Sequence, residues 1–185
     1  MRLEAAGLTA DERGRIKVDA SYRTAVPHIF AAGDVIGFPA LASSSMEQGR
    51  IASCTMFDGP VGECRACLPY GIYTIPEISM VGKTERELTQ SKTPYEVGLA
   101  KFEELAKGQL VGDQTGLLKI LFHPETREVL GVHVIGEGAT EIIHIGQCVM
   151  ALGGKLEYFR ETVFNYPTFA EAYKVAAFDG LNKLG

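Results

Sequence analysis

The spacing of apolar and polar positions divides the chain into an irregular first third and a regular remainder. Residues 1–27 are polar and turn-rich, with Asp11-Glu12-Arg13-Gly14 as a tight turn and Arg15 to Val18 as a short strand behind it. The run His28-Ile29-Phe30-Ala31-Ala32 is apolar and ends at Gly33-Asp34. That pattern predicts a buried strand whose C-terminal end carries a functional turn. From Ala40 to Phe57, Leu41, Ser45, Gly49, Ala52 and Met56 fall at helical spacing, and Gly49 and Ala52 are small enough to let another backbone approach. Asp58-Gly59-Pro60-Val61-Gly62 breaks this helix and opens a loop to about Leu68, which places a domain boundary there.

Beyond the boundary the pattern turns to short strands and capped helices. Ile72 to Ile75 and Met80 to Gly82 read as strands, and Thr84-Glu85-Arg86-Glu87 is a capping box that starts a helix. Tyr95 to Lys101, Gly116 to Phe122 and Val129 to Ile135 are three further strands of an antiparallel sheet, the last two joined by residues 123–128. Ile142, Ile145, Gly146, Val149 and Leu152 define the apolar face of a helix that stops at Gly153-Gly154. A final helix runs from about Phe169 to Leu184, with Ala170, Tyr173, Ala177 and Leu181 on one side. The fold class expected is α+β, with a mixed or antiparallel sheet and helices.

Composition narrows the classes of function. The chain has 185 residues, 46% hydrophobic and 22% charged, and a net charge of -5, so it lacks the basic surface that a nucleic-acid backbone demands. No apolar run is long enough to span a bilayer, and the N-terminus lacks the layout of a secretory signal. A cytoplasmic location is therefore expected. The four cysteines are too sparse for a disulfide framework, although Cys64-Arg65-Ala66-Cys67 has C-x-x-C spacing. No second pair stands at ligand spacing, so no metal is expected. Incidental linker thiols and a regulatory disulfide both remain open.

The segment richest in chemistry is Thr24 to Asp34. An acidic residue after a buried strand, with glycine before it, is placed to accept hydrogen bonds from a polyol hydroxyl. The free amides of the helix beginning near Ala40 suit an anionic or electron-rich ring edge. A turn aspartate that merely caps the next helix would leave the same pattern. His133 and His144, on a strand and a helix, read as satisfied structural residues, and His28 has no evident partner.

The Thr24 to Asp34 segment closely resembles the second FAD fingerprint of the pyridine nucleotide-disulfide oxidoreductase family, and Pro76-Glu77 followed by Val81-Gly82 resembles the opening of its dimerisation domain. The resemblance implies that residues 1–57 are the last piece of an FAD-binding, Rossmann-like domain, 58–68 a linker and 69–185 the dimerisation domain of a homodimer. It further implies that Asp34 binds the ribitol of FAD, that Gly33 permits close approach, and that Ala40, Leu41 and Ala42 start a helix aimed at the flavin.

The closing motif differs from most of that family. Where its disulfide reductases place a His-Pro pair, this chain has Tyr166-Pro167, with Glu171 in the glutamate position. Histidine exchanges protons near neutral pH, whereas a phenol with a reference pKa of about 10 is a poor base there. Thiol chemistry would be handicapped, but hydride transfer through a flavin would not. The run from Asn165 to Ala177 looks like the ending of the soluble pyridine nucleotide transhydrogenases, in which FAD carries hydride from NADPH to NAD. Tyr166 and Glu171 are accordingly the catalytic candidates, although a buried interface aromatic and a carboxylate favoured by the helix dipole explain them as well.

Two other readings compete. A lipoamide dehydrogenase or other disulfide reductase of the same family would require the tyrosine to be a local replacement. Mercuric reductases carry a C-terminal cysteine pair that Gly180 to Gly185 lacks. A stand-alone dimerisation module is the second alternative. No Gly-x-Gly-x-x-Gly phosphate loop occurs in the chain, so it should not transfer hydride by itself and reads as a portion of a larger enzyme.

Overall fold

The structure, a computed structural model, describes residues 2–61 and 67–185. The chain divides into two compact units, Met1–Cys64 and Arg65–Gly185.

The first unit holds one long helix and a set of closed turns. Asp11 organises the first of them, accepting the backbone N–H groups of Arg13 and Arg15 and pairing with the Arg15 side chain. The expected strand over Arg15 to Val18 is a single bridge between Ala10 and Ile16. The expected strand over residues 28–32 is likewise one bridge, Arg23 to Phe30, flanked by Thr24 N–H to Ile29 C=O and Ala31 N–H to Tyr22 C=O. A strand exists only where a neighbour extends its ladder, and within this unit the apolar run has one short neighbour. Thr24 is buried and closes this loop: its hydroxyl lies 2.9 Å from the Ile29 carbonyl and accepts the Val26 N–H.

Helix α1 spans Ala42–Met56. Its buried residues are Ser44, Gln48, Ile51 and Ala52, rotated from the face that apolar spacing predicts. Met56 is 47% exposed, and a methyl group on Gly49 would meet no atom among the described residues. The inward face is chosen by hydrogen bonds from Ser44 and Gln48, which hydrophobic periodicity does not register.

In the second unit, β1 (Tyr70–Ile72), β2 (Ile78–Gly82), β3 (Glu96–Lys101), β4 (Leu117–Phe122) and β5 (Val129–Ile135) form one sheet in the order β1-β2-β5-β4-β3, antiparallel at every pairing. The first strand lies earlier than apolar runs suggest, because Tyr73 and Ile75 are exposed on the loop that leads to β2. Helix α2 (Glu85–Gln90) begins at the predicted capping box, with Thr84 accepting the Glu87 N–H and Glu87 accepting the Thr84 N–H. The other helices are α3 (Ala106–Val111), α4 (Ala139–Ala151), α5 (Leu156–Glu161) and α6 (Glu171–Asn182).

The core lies where α4 covers β2 and β5 and α6 covers β3 and β4. Alternate residues of β4, Leu118, Ile120 and Phe122, are fully buried there beside Val132, Phe102, Phe159 and Tyr173. Each such side chain contributes about 1.5 to 3 kcal/mol by leaving water. Helix α6 approaches β3 so closely that a Cβ on Gly98 would stand 2.1 Å from the Ala176 carbonyl oxygen. Gly98 therefore sets the distance between helix and sheet.

Helix α4 buries Ala139, Ile143, Gly146 and Val149, and leaves Leu152 80% exposed where the periodicity puts it in the core. The hydroxyl of Tyr173 turns the helix this way. It accepts the Gly146 N–H at 3.0 Å and donates to the Ile142 carbonyl at 2.9 Å, entering one step of the helix ladder from α6. On α6 the buried set is Ala172, Tyr173, Ala176, Ala177 and Gly180.

Candidate functional site

The sequence-predicted residues fall into two groups, one in each unit. In the first unit Gly33 opens a 3-10 turn, Gly33–Ile36, at a φ of 82°, a backbone conformation suited to glycine. Its N–H donates to Gln48 Oε1 at 2.7 Å, and a Cβ in its place would meet Ser45 Oγ at 3.2 Å. Helix α1 therefore holds the glycine amide through Gln48 and leaves little room for a side chain beside Ser45. Asp34 follows on the surface, and its carboxylate makes no hydrogen bond or ion pair among the described residues. It does not cap α1.

The helix starts at Ala42, with Leu41 as its extended cap residue and Ala40 exposed before it. No side chain caps this end. The hydroxyls of Ser44 and Ser45 instead turn back, Ser45 donating to the Leu41 carbonyl at 2.8 Å and Ser44 lying 2.9 Å from that of Pro39. The amides of Ala42 and Ser43 find no acceptor among the described residues. Gly33, Asp34 and the start of α1 thus combine a free carboxylate acceptor with free backbone donors. Neither Ser45 nor Gln48 was legible as part of this site, because a polar residue at an inward helical position carries no motif.

In the second unit Asn165 to Thr168 form a turn with a cis peptide between Tyr166 and Pro167. The Thr168 hydroxyl donates to the Asn165 carbonyl at 2.7 Å and closes it. Tyr166 projects outward, 73% exposed, and its hydroxyl makes no hydrogen bond among the described residues. Within this unit it is not a buried aromatic. Glu171 is the first residue of α6 and accepts the Thr168 N–H at a long 3.5 Å. Behind the turn, Phe169 stacks on Phe102 with ring centroids 4.4 Å apart.

The other sequence-selected residues have different places. Glu77 Oε2 accepts the Thr140 N–H at 3.0 Å and its hydroxyl at 2.6 Å, and the Glu77 carbonyl accepts the Gly136 N–H. The carboxylate caps α4 from the residue just before β2, and the Thr140 hydroxyl and amide hold it below the usual carboxylate range. His133 is not satisfied as its sequence context implied: its Nδ1 is buried without a hydrogen-bond partner among the described residues. Burial, and then the neighbouring Lys119 ammonium, push its pKa down to about 4 despite Glu85 and Glu87 nearby. His144 is exposed on α4 and pairs with Gln147, and His28 is exposed before the fingerprint. Of the C-x-x-C pair, Cys64 lies outside the described residues, and Cys67 is partly buried with a free thiol.

Two family models match the chain. The dimerisation domain of the pyridine nucleotide-disulphide oxidoreductases matches residues 68–177, more than half of the 185 residues. The chain belongs to this family. A second model, pyridine nucleotide-disulphide oxidoreductase, matches residues 1–49 and so covers the Gly33-Asp34 turn and the start of α1. Among curated relatives, the soluble pyridine nucleotide transhydrogenase of Enterobacter sp. (strain 638) is 57% identical over 188 residues and covers 100% of the chain. That of Yersinia pestis (strain Pestoides F) is 58% identical over 98% of the chain. The chain spans 40% of the length of each of these relatives. Among solved structures, the HOCl-induced flavoprotein disulfide reductase RclA from Escherichia coli aligns over 96% of this chain and 41% of its own, with a TM-score of 0.87 and 26% identity. LpdA from Mycobacterium tuberculosis aligns over 96% of this chain and 39% of its own, with a TM-score of 0.85 and 25% identity. Among the described residues no helix is long and apolar enough to cross a membrane, and no cluster of histidine, cysteine and acidic residues could hold a metal ion.

Proposed function

We propose that this chain is the dimerisation portion, with the last piece of the FAD-binding domain, of a cytoplasmic homodimeric enzyme that moves hydride between NADPH and NAD. In this reading residues 1–57 belong to the FAD-binding domain, 58–68 are the linker and 69–185 the dimerisation domain. The observation that carries the reaction type is the turn at Asn165 to Thr168, which presents an exposed tyrosine where disulfide reductases of the family place a proton-exchanging histidine. The transhydrogenases at 57% and 58% identity support the same choice.

The first unit's donor set fits FAD. Asp34 offers a carboxylate free to accept from a ribitol hydroxyl, and Gly33 keeps the adjoining backbone free of a side chain. The unpaired amides at the start of α1 offer donors and the positive end of the helix dipole to a ring edge. FAD, when bound, supplies a two-electron carrier between the two nicotinamides. Tyr166 and Glu171 are assigned to the active site: Tyr166 as a polar contact that neither takes nor gives a proton, and Glu171 as the acceptor that steadies the turn carrying it. The dimer is supported by an apolar groove of about 470 Å³ along α4 and α5, lined by Ile145, Cys148, Val149, Leu152 and Tyr158. In the homodimer this reading seats the partner protomer there.

The test is an assay of the full-length enzyme with NADPH as donor and a spectrally distinct NAD analogue as acceptor, run beside oxidised lipoamide and glutathione. Rapid reduction of the analogue alone is the expected result. Reduction of either disulfide at a comparable rate would overturn the assignment and make the chain part of a disulfide reductase.

A further inference from the structure

We propose that Gln48 is a positioning residue for the flavin contact, holding the Gly33-Asp34 turn at a set distance from the start of α1. The inference rests on the assignment of Asp34 to FAD. Gln48 is 4% exposed, and a neutral amide buried in a helix face is costly unless its polar atoms are paired. Its Oε1 accepts the Gly33 N–H at 2.7 Å across 15 residues of sequence. The Gly33 amide, at a φ of 82°, lies beyond the Arg23–Phe30 bridge in the chain, and a side-chain acceptor on α1 serves it in place of a ladder partner.

One hydrogen bond thereby joins the two halves of the proposed cofactor contact. Asp34 is the next residue after the bonded amide, and the unpaired amides of Ala42 and Ser43 lie on the same helix as Gln48. Ala42 and Gln48 are six positions apart, about 9 Å along a helix axis. The separation between the carboxylate and the helix donors is therefore set by the Gln48 side chain, while Ser45 leaves little room for a Cβ at Gly33. Glutamine also suits the charge of the place. It accepts the N–H without setting a second negative charge beside Asp34, as an ionised glutamate would.

The experiment compares the full-length enzyme with its Gln48→Met and Gln48→Glu variants, after removal of FAD and titration back with it. Methionine keeps the volume and removes the acceptor; glutamate keeps the acceptor. Flavin fluorescence quenching gives the FAD dissociation constant, and hydrogen exchange of the peptide containing Gly33 in the FAD-free protein reports the turn. Gln48→Met should weaken FAD binding by about tenfold or more and raise exchange at Gly33, with the thermal midpoint within a few degrees of the parent. Gln48→Glu should keep Gly33 protected and lose about threefold or less in affinity at pH 5, with a larger loss as pH rises and the carboxyl ionises beside Asp34.

Equal losses in both variants at pH 5 would mean that side-chain shape decides, and would overturn the proposal. So would Gln48→Met binding FAD within about twofold of the parent, whatever its exchange rate. A parent that takes up no FAD would overturn the cofactor assignment itself, and the proposal with it. That failure is distinct from one in which the parent binds FAD and Gln48 proves indifferent.

Discussion

The two units achieve order by different means. The second closes a five-stranded sheet under two helices and buries large apolar side chains almost completely: Phe102, Phe122, Phe159 and Tyr173 are all at 0% exposure. The first buries Leu8, Ile16, Ile51 and Ala52 together with Thr24, Ser44 and Gln48, and its turns are held by side-chain to backbone hydrogen bonds. Apolar burial is additive and non-directional, whereas a hydrogen-bonded turn depends on one geometry. A sheet core accordingly behaves as a scaffold, and a turn tied by single bonds is suited to presenting a carboxylate such as that of Asp34.

Three predictions sharpen or break this contrast. The largest effect is expected at Gly98, where any side chain collides with the α6 backbone. Gly98→Val should cost about 3 kcal/mol or more in urea unfolding of the second unit. A cost below about 1 kcal/mol would mean that α6 floats over the sheet and that the scaffold is no tighter than the turns.

Next is Tyr173→Phe, which removes the hydroxyl shared by Gly146 and Ile142 and leaves the ring in place. The expected loss is about 1 to 3 kcal/mol, because two buried groups lose a partner, and exchange at the Gly146 amide should rise. No change in either would show that apolar packing alone sets the register of α4.

The smallest effect separates the units by pH. The neutral form of His133 is favoured in the folded state, with a pKa of about 4 against an ordinary 6.5, so the unfolded chain binds more protons between those values. Stability of the second unit should therefore fall as pH drops from 6.5 to 4, by about 1 kcal/mol after allowance for partial exposure. His133→Gln should flatten that slope. In the first unit the shifted acids are Glu47, which its hydrogen bond with Arg50 holds below an ordinary 4.5, and Asp11, which its hydrogen bond with Arg15 holds at about 2 against 3.8. Each contribution is present above the ordinary value and is lost only as pH falls below it, below 4.5 for Glu47 and from 3.8 toward 2 for Asp11. Amide exchange followed from about pH 7 to 4 should thus change in the second unit before the first.

Legibility followed the same division. The capping box at Thr84, the antiparallel strands β3, β4 and β5, and the stop of α4 before Gly153-Gly154 were all readable from local pattern, because their hydrogen bonds close within or between neighbouring segments. The apolar run before Gly33 predicts a strand and forms one bridge, because apolar spacing records what must be buried and not which neighbour is present. The inward faces of α1 and α4 lie part of a turn from those that apolar spacing predicts. In both, a buried polar contact from a distant residue, Gln48 to Gly33 and Tyr173 to Gly146, sets the rotation. At the two candidate sites, Gly33 and Asp34 in the first unit and Tyr166 and Glu171 in the second stand in short motifs, while Gln48 and Ser45 needed the folded chain.

By itself, the sequence determined the family, the α+β class and the residue types at the two candidate sites, since these depend on motifs and on periodicity within a few residues. The tertiary structure decided which side chains support them. It made Glu77 the cap of α4, left the Asp34 carboxylate without a partner among the described residues, and turned Tyr166 out of its own unit. Those outcomes depend on contacts between residues far apart in the chain, and the free energy of such a contact is written in neither partner alone.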